Sequence, residues 1–360
     1  MKAFYLKNKD EIVAKIIFGD GEFDNDEIKA YEILSSQLLP KGIKESSFKK
    51  DFANWLGSRI SRRASGYWYD KKVNALLSLN DCYYVLKASD ERTWDELSLY
   101  RNKWNKNVQA AAINGREFNI NSSALSPEFC TDGMLRKCWI KENDKIKLVK
   151  SQNQSSLQAR GEFLASQVAK AMDLECVKYE LSGIKDCIEN CICENFCDEK
   201  IGFVAIWRLL ESNANYEQYA RAARELFGAE RFDDMIIFDA LIANKDRHYG
   251  NFGFLIDNDT NEILRPAPIF DSGYCAFRHR ELWQLSRQWL EIEQNRTYGL
   301  SMNSALKLSM SERHIKMLEK LYDFSFEKSE LIDDDELEKY ENFVRNNARN
   351  IIRVIESRNF

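Results

Sequence analysis

Proline occurs four times in 360 residues, so the chain holds neither a Pro-rich linker nor a low-complexity tract of that kind. Histidine is scarcer still, at three residues. His279 and His314 have no motif context, and His248 has no evident carboxylate partner, so it reads as a brace for its loop rather than a general base. No stretch approaches the roughly 20 apolar residues that a membrane helix needs. The opening MKAFYLKNKDEIVAKIIF alternates apolar and charged residues without a leader-type apolar core, which predicts a soluble cytoplasmic protein with no membrane partner. A basic excess is missing too. The net charge is -5 with both signs mixed along the chain, so direct nucleic-acid binding is not expected.

Nine cysteines, an odd number in a long chain without a leader, point to reduced thiols. Four of them, Cys187, Cys191, Cys193 and Cys197, fall close together and raise the possibility of a zinc module. Their C-x3-C-x-C-x3-C spacing lacks the paired C-x2-C knuckles of common zinc sites, and Cys191 and Cys193 fit one face of a buried strand. At 44% hydrophobic residues the chain can bury a substantial core.

Pattern changes organise the sequence. A hairpin is predicted from Phe4 to Leu6 and Ile12 to Phe18, followed by helical segments at Ile28 to Leu39 and Phe48 to Ile60. Two strands flank the polar turn Glu142 to Lys145. They lead into an amphipathic helix near Leu157 to Met172, for which Ser155 and Gln158 are candidate caps. Further strands are predicted at Val177 to Leu181 and Ile188 to Cys193. Beyond Ile201 the pattern is mostly helical, interrupted by a hairpin between Phe252 and Phe270. The chain closes on a helix with Val344, Ala348, Ile351, Ile352 and Ile355 on one face. A sheet-rich unit therefore precedes a larger helical one.

The segment richest in chemistry is Asn244-Lys-Asp-Arg-His-Tyr-Gly-Asn251, which follows the near-continuous apolar helix Met235 to Ala243. Asn251 begins the hairpin and Asp271 ends it, so strand pairing sets a carboxamide oxygen near a carboxylate. Such hard oxygens suit Mg2+, which takes few protein ligands and leaves positions for phosphates. Asp246, five residues before Asn251, could accept a hydroxyl proton or orient a nucleophile. Each of the three alone reads as a turn or cap residue; together, in this order, they read as a phosphotransfer site.

A triphosphate would need a second set of groups. Thr131-Asp-Gly-Met-Leu-Arg-Lys137 leads into the first strand, and Gly133 permits close backbone approach to a phosphate. With the turn centred between Asn143 and Asp144, Lys137 falls opposite Lys150, a like-charge arrangement that an anion between them would relieve. Glu162, on the following helix, could fix the Lys150 ammonium; the plain alternative is a solvated helix charge.

The strings Asp246-Arg-His248-Tyr-Gly-Asn251 and Ile269-Phe-Asp271-Ser resemble the HipA-like serine/threonine kinases in order and spacing, and the resemblance runs from about residue 115 to 300. It implies an α+β, two-lobed protein-kinase-like fold. The N-terminal accessory domain would span 1–112, a small β-rich N-lobe 113–200 and a helical C-lobe 201–360. It also implies ATP and Mg2+ as cofactors, with Asp246 as catalytic base and Asn251 and Asp271 as metal ligands. Gly133 and Lys137 would form the phosphate loop, Lys150 would be the phosphate lysine steadied by Glu162, and backbone near Glu194 and Phe196 would contact adenine. Leu39-Pro40-Lys-Gly42, Trp55-Leu-Gly-Ser-Arg59 and Leu77-Ser-Leu-Asn-Asp81 resemble the family's accessory domain.

The same Asp-Arg-His string is similar to that of phosphatidylinositol kinases, but no basic amphipathic surface helix is apparent, which favours a protein substrate over a lipid. An antitoxin-like partner protein belongs to what the family resemblance implies. A small-molecule kinase and a catalytically silent kinase-fold binding module are the alternatives. Ser122, Ser123, Ser126 and Thr131, near the phosphate loop, are candidate self-phosphorylation sites.

Overall fold

Alternation of apolar side chains in Phe4, Leu6, Ile16 and Phe18 buries one face of a pair of strands, β1 (Lys2–Asn8) and β2 (Glu11–Phe18). They pair antiparallel with Phe4 opposite Ile16 and Leu6 opposite Ala14, as the predicted hairpin requires. The computed structural model describes residues 2–19, 28–59, 76–114, 126–127, 136–152, 157–184, 188–211, 216–279 and 302–356. Its architecture is α+β.

By internal contacts the chain divides into two units interleaved along the sequence. The first comprises Met1–Leu148, Asn195–Val204 and Phe254–Arg265; the second comprises Val149–Glu194, Ala205–Gly253 and Pro266–Phe360.

In the first unit, β3 (Ile28–Ile33) and β4 (Tyr83–Lys87) complete a sheet of order β3-β2-β1-β4. The helix expected over Ile28 to Leu39 is not formed. Its first half is this edge strand, with Tyr31 opposite Ile16, and Ser36–Leu38 is a short 3-10 turn. The open edge of β2 supplies backbone partners, and with Ile28, Tyr31 and Ile33 already suited to a strand, that pairing outweighs local helical periodicity.

Helix α1 (Phe48–Ser58) buries Phe48, Phe52, Trp55 and Leu56 against the sheet. Its aromatic rings stack in series from Tyr31 through Phe48 and Phe52 to Trp55, at centroid spacings of 4.6, 5.4 and 5.8 Å. A second core lies around Trp94, Leu97, Tyr84 and Trp104, served by α2 (Trp94–Leu97), with α3 (Lys106–Asn114) following.

The hairpin of β5 (Arg136–Glu142) and β6 (Lys145–Gln152) turns at Asn143 and Asp144, whose φ values of 50° and 62° are those of a two-residue turn twisted to match its strands. Strands β9 (Ile201–Ala205), β10 (Gly253–Asp257) and β11 (Ile263–Pro266) form a further sheet of order β11-β10-β9. Its Asp257-to-Asn261 turn is tied to the N-terminal region by Asn261 Nδ2, which donates to the Leu39 carbonyl at 2.7 Å.

The second unit takes up the end of β6 and adds α4 (Gln158–Ala171), β7 (Glu180–Ile184) and β8 (Ile188–Glu194), the strands lying in the order β6-β8-β7. Helices α5 (Tyr216–Phe227), α6 (Ala229–Ile242), α7 (Met302–Ser309), α8 (Glu312–Glu319) and α9 (Asp334–Glu356) complete it. Every residue of α6 from Met235 to Ile242 is buried, as its apolar run predicts. Ala243, at φ 56°, ends the helix, and Asn347 on α9 donates to the buried carbonyls of Ala240 and Leu241 at 3.2 and 2.7 Å. The Gln158 cap proposed for α4 is not formed. Gln152 Oε1, from the end of β6, accepts the Ala159 and Arg160 amides at 2.6 and 3.3 Å, and Ser155 lies outside the described residues. Among the described residues no helix is long and apolar enough to cross a membrane.

Arg59 closes the first core. Its guanidinium donates to Leu76 O, Asp81 Oδ2 and Tyr83 O at 2.7–2.8 Å and lies 4.5 Å from the Trp55 ring. With the Arg59 side chain 5% exposed, Arg59→Ala strands a partly buried carboxylate and two carbonyls, an expected loss of about 3 kcal/mol. Urea unfolding of the variant measures it.

Candidate functional site

The second unit gathers the charged residues that the sequence singles out. Lys150 sits near the end of β6 with its side chain 6% exposed. Its ammonium donates to Glu162 on α4, and to Asp271 Oδ1 at 2.7 Å. The predicted Lys150–Glu162 contact is therefore formed, and Asp271 joins it. Burial works against the Lys150 charge, but Asp271 and Glu162 outweigh it and hold the ammonium well above its ordinary pKa. Burial pushes the Glu162 carboxyl up; Lys150 opposes this and the Asp271 charge adds to it. One ammonium thus faces two carboxylates, an excess of negative charge that is partly relieved where the Asp271 side chain opens to solvent, at 41% exposure.

Backbone contacts fix Asp271. Ile269 and Val177 exchange parallel-strand hydrogen bonds with the chain at Glu175 and Ile269 (2.8–2.9 Å), and the Asp271 amide points at the Tyr179 hydroxyl, 3.4 Å away. Asp271 takes the left-handed φ of 57°, a region that Asp enters more readily than bulkier residues. The next amide, Ser272 N, donates to Glu162 Oε2 at 2.8 Å, so the two carboxylates are indexed to each other through one peptide. Close approach makes this possible. A Cβ on Gly161 would lie 2.5 Å from Gly273 O, and one on Gly273 would lie 2.6 Å from Gln158 O.

The loop after α6 carries Asp246 and Asn251. Asn251 Nδ2 donates to the Asp246 carbonyl at 3.0 Å, and the Asn251 amide donates to the His248 carbonyl at 2.8 Å. With its amide nitrogen committed, Asn251 has its carboxamide Oδ1 left as a hard oxygen donor. His248 braces the loop as expected, its Nδ1 accepting the Gly250 amide at 3.0 Å. The Asp246 side chain opens outward, yet packing on its other side raises its carboxyl. His248 counters this and Asp271 reinforces it.

Arg247 connects the loop to the segment carrying Asp271, which lies beyond the end of β11 at Pro266 rather than at the hairpin's end as the sequence suggested. Its side chain and that of Asp239 are both 0% exposed and pair at 3.0 Å. The same guanidinium donates to Asn251 O at 3.1 Å, Phe270 O at 2.6 Å and Ser272 Oγ at 2.8 Å. Asn244 Nδ2 adds a bond to Asp239 Oδ1 at 2.9 Å. Neither Arg247, Asp239 nor the glycine pair stands out in the sequence reading, although an aspartate inside the apolar run Met-Ile-Ile-Phe-Asp-Ala-Leu-Ile is a charge that must find a buried partner.

The other expected residues are divided between the two units or lie outside the described residues. Lys137 is on β5 in the first unit, and Gly133 and Thr131 lie outside the described residues. Glu194 closes β8, while Phe196, in the first unit, packs edge-on against Phe203 at 5.7 Å. Cys191 and Cys193 share a buried strand face as predicted. Burial holds the Cys191 thiol well above its usual range and pushes that of Cys193 up to about 12, so neither is a thiolate. Among the described residues no His, Cys, Asp and Glu group of metal-site size occurs; Cys187 lies outside them. Ser126, one of the candidate phosphorylation sites, is fully buried, and Ser122 and Ser123 lie outside the described residues.

The HipA-like C-terminal domain model matches residues 130–333, which spans β6, α4, the Asp246 loop and Asp271. The chain belongs to the HipA-like family. Over 46 residues, 13% of this HipA-like chain and 14% of the relative, it is 48% identical to the serine/threonine-protein kinase CtkA of Helicobacter pylori. A chain of the HipA, HipB and operator DNA complex, from the toxin–antitoxin system of Shewanella oneidensis MR-1, superposes with a TM-score of 0.50 and 12% identity. That match covers 98% of this chain and 99% of the other, and shows a shared fold. The crystal structure of the Helicobacter pylori proinflammatory kinase CtkA gives a TM-score of 0.42 at 20% identity, covering 61% of this chain and 90% of that one.

The glycine contact is testable with an internal control. Gly161→Ala forces α4 away from the Gly273 carbonyl and should cost about 2 kcal/mol. Gly57→Ala, on helix α1 with nothing within 4 Å, should instead stabilise by roughly 0.5–1 kcal/mol. Thermal unfolding of both variants distinguishes a close approach from a general intolerance of alanine.

Proposed function

We propose that this chain is a protein kinase that transfers the γ-phosphate of ATP to a serine or threonine hydroxyl, itself included among possible acceptors. The observation that carries the proposal is the Lys150 ammonium fixed between Glu162 and Asp271, in the unit that also holds the Asp246–Asn251 loop. Phosphoryl transfer asks little covalent chemistry of a protein and much positioning of charge, which is what this cluster provides.

The donor set fits Mg2+. Asp271 offers a carboxylate with an open side, Asn251 a carboxamide oxygen whose nitrogen is already bonded, and the local excess of negative charge favours a cation. When bound, Mg2+ would neutralise phosphate charge. Lys150, kept charged by its neighbours, would bind a phosphate oxygen, and Glu162 would hold the lysine extended toward it. Gly133 and Lys137 would complete the phosphate loop, with Glu194 and Phe196 at the adenine. Asp246 would orient the incoming hydroxyl and accept its proton; its raised carboxyl makes it a better base than an ordinary aspartate. In this reading residues 1–112 form an accessory domain, 113–200 the smaller lobe and 201–360 the larger. An antitoxin-like protein partner is proposed by kinship with the HipA fold, and the site of action is taken to be the cytoplasm.

Incubation with Mg2+ and labelled ATP, with and without heat-treated cell extract, tests this. Wild type should label itself or an extract protein, and Asp246→Asn should lower turnover at least about 100-fold with unchanged thermal unfolding. Activity should fall with acidity as Asp246 takes up a proton, with a midpoint above the ordinary 3.8 because its carboxyl is raised, and that limb should vanish in Asp246→Asn. ATP binding without any transfer would identify a silent binding module; label on lipid or small-molecule fractions alone would identify the other kinase class.

A further inference from the structure

A second buried polar network lies in the same unit, and the proposed reaction uses none of its members. Gln152 stands two residues beyond Lys150 on β6, and Arg160 two residues before Glu162 on α4. Gln152 Oε1 holds the first amides of α4, and its Nε2 donates to Glu189 Oε2 on β8 at 2.9 Å. Arg160 Nε donates to that same oxygen at 3.1 Å, its Nη1 to Glu336 Oε1 at 2.6 Å and its Nη2 to Leu331 O at 3.3 Å. The Tyr340 hydroxyl lies 2.8 Å from Glu336 Oε1. Glu336 and Tyr340 belong to the first two turns of α9, close to the C-terminal end of the chain.

The burial of these groups makes the network rigid. Arg160 and Glu189 are 1% and 3% exposed, Glu336 14%. Burial opposes the guanidinium charge, and Glu189 and Glu336 restore it. If α4 slid along β8, a charge would be left buried without its partner, which is strongly unfavourable. Residues two apart on a helix point to nearly opposite sides, since each advances it by about 100°. Helix α4 is therefore gripped on two faces: by Lys150 and the Ser272 amide at Glu162, and by Glu189 and Glu336 at Arg160.

We propose that the C-terminal helix sets the Lys150–Glu162 pair through Arg160, with Arg160, Glu189 and Glu336 acting as positioning residues. The role assigned to the pair rests on the kinase reading; the mechanical link does not. Whatever displaces the first turn of α9 would shift Glu162 relative to Lys150 and Asp271, which makes this turn a control point for the site.

Glu336→Ala and Glu336→Gln test the link, because the amide keeps an acceptor for Arg160 and Tyr340 while alanine removes it. In Glu336→Ala, amide exchange should quicken at least about tenfold at Ala159 and Arg160, and also at Ser272, far away in sequence but bonded to Glu162. In Glu336→Gln exchange should stay near wild type. Phosphate transfer should fall about tenfold in Glu336→Ala, yet by less than about twofold when the same change is made in Glu162→Gln, since the two act in series. Wild-type exchange at Ser272 in Glu336→Ala, or an equal loss of transfer in both backgrounds, would overturn the proposal. Should Glu336→Ala fail to fold, Tyr340→Phe removes one contact to the same carboxylate and is judged by the same Ser272 exchange. A wild-type protein that transfers no phosphate would refute the kinase reading, while Ser272 exchange would still decide the link.

Discussion

A buried ammonium between two carboxylates determines how this site is built. Lys150 would be costly to bury alone, and so would Glu162; together they are tolerable only while Asp271 and the Ser272 amide complete their contacts. That condition fixes three elements at once: the end of β6, the first turns of α4, and the chain leaving the β10–β11 hairpin. The arrangement retains one negative charge in excess, with the exposed edge of Asp271 as its outlet. Under the proposed kinase reading, that charge would disfavour a polyphosphate alone and favour one accompanied by a divalent cation.

The second constraint is Arg247. Its ion pair with Asp239 has no contact with solvent, and its remaining donors reach the carbonyls of Asn251 and Phe270 and the Ser272 hydroxyl. One guanidinium thereby references the loop carrying Asp246 and Asn251 to the segment carrying Asp271, and anchors both to α6. The planar fork matters, because a lysine has no geometry for four such directions. The Gly161–Gly273 contact does similar work by absence of a side chain, letting a helix and a loop backbone approach closely enough for a main-chain amide to reach Glu162.

Much of this was legible in the sequence. Alternation gave β1 and β2, the Asn143–Asp144 turn gave the β5–β6 hairpin, and the apolar run from Met235 gave α6. The order of Asp246, Asn251 and Asp271 picked out residues that fall in one unit of the fold, because motif spacing is a local property. The failures have a common cause, which is that they depend on contacts distant along the chain. Ile28–Ile33 is a strand because β2 offers an edge, and the first amides of α4 are held by Gln152 rather than by Gln158. The Arg160 and Arg247 networks draw partners from up to 176 residues away, and no window on the sequence contains both ends. Asp239 was the one signal available, a charge in an otherwise apolar helix.

The central claim is that Asp271 joins the nucleotide site through a divalent cation while Lys150 serves the phosphates directly. Calorimetric titration of ATP into wild type and Asp271→Asn, each with and without Mg2+, tests it most directly. Wild type should bind ATP at least about tenfold more tightly with Mg2+, and Asp271→Asn should lose that difference while keeping its Mg2+-free affinity or gaining slightly from the lost negative charge. An undiminished Mg2+ effect in Asp271→Asn would contradict the account.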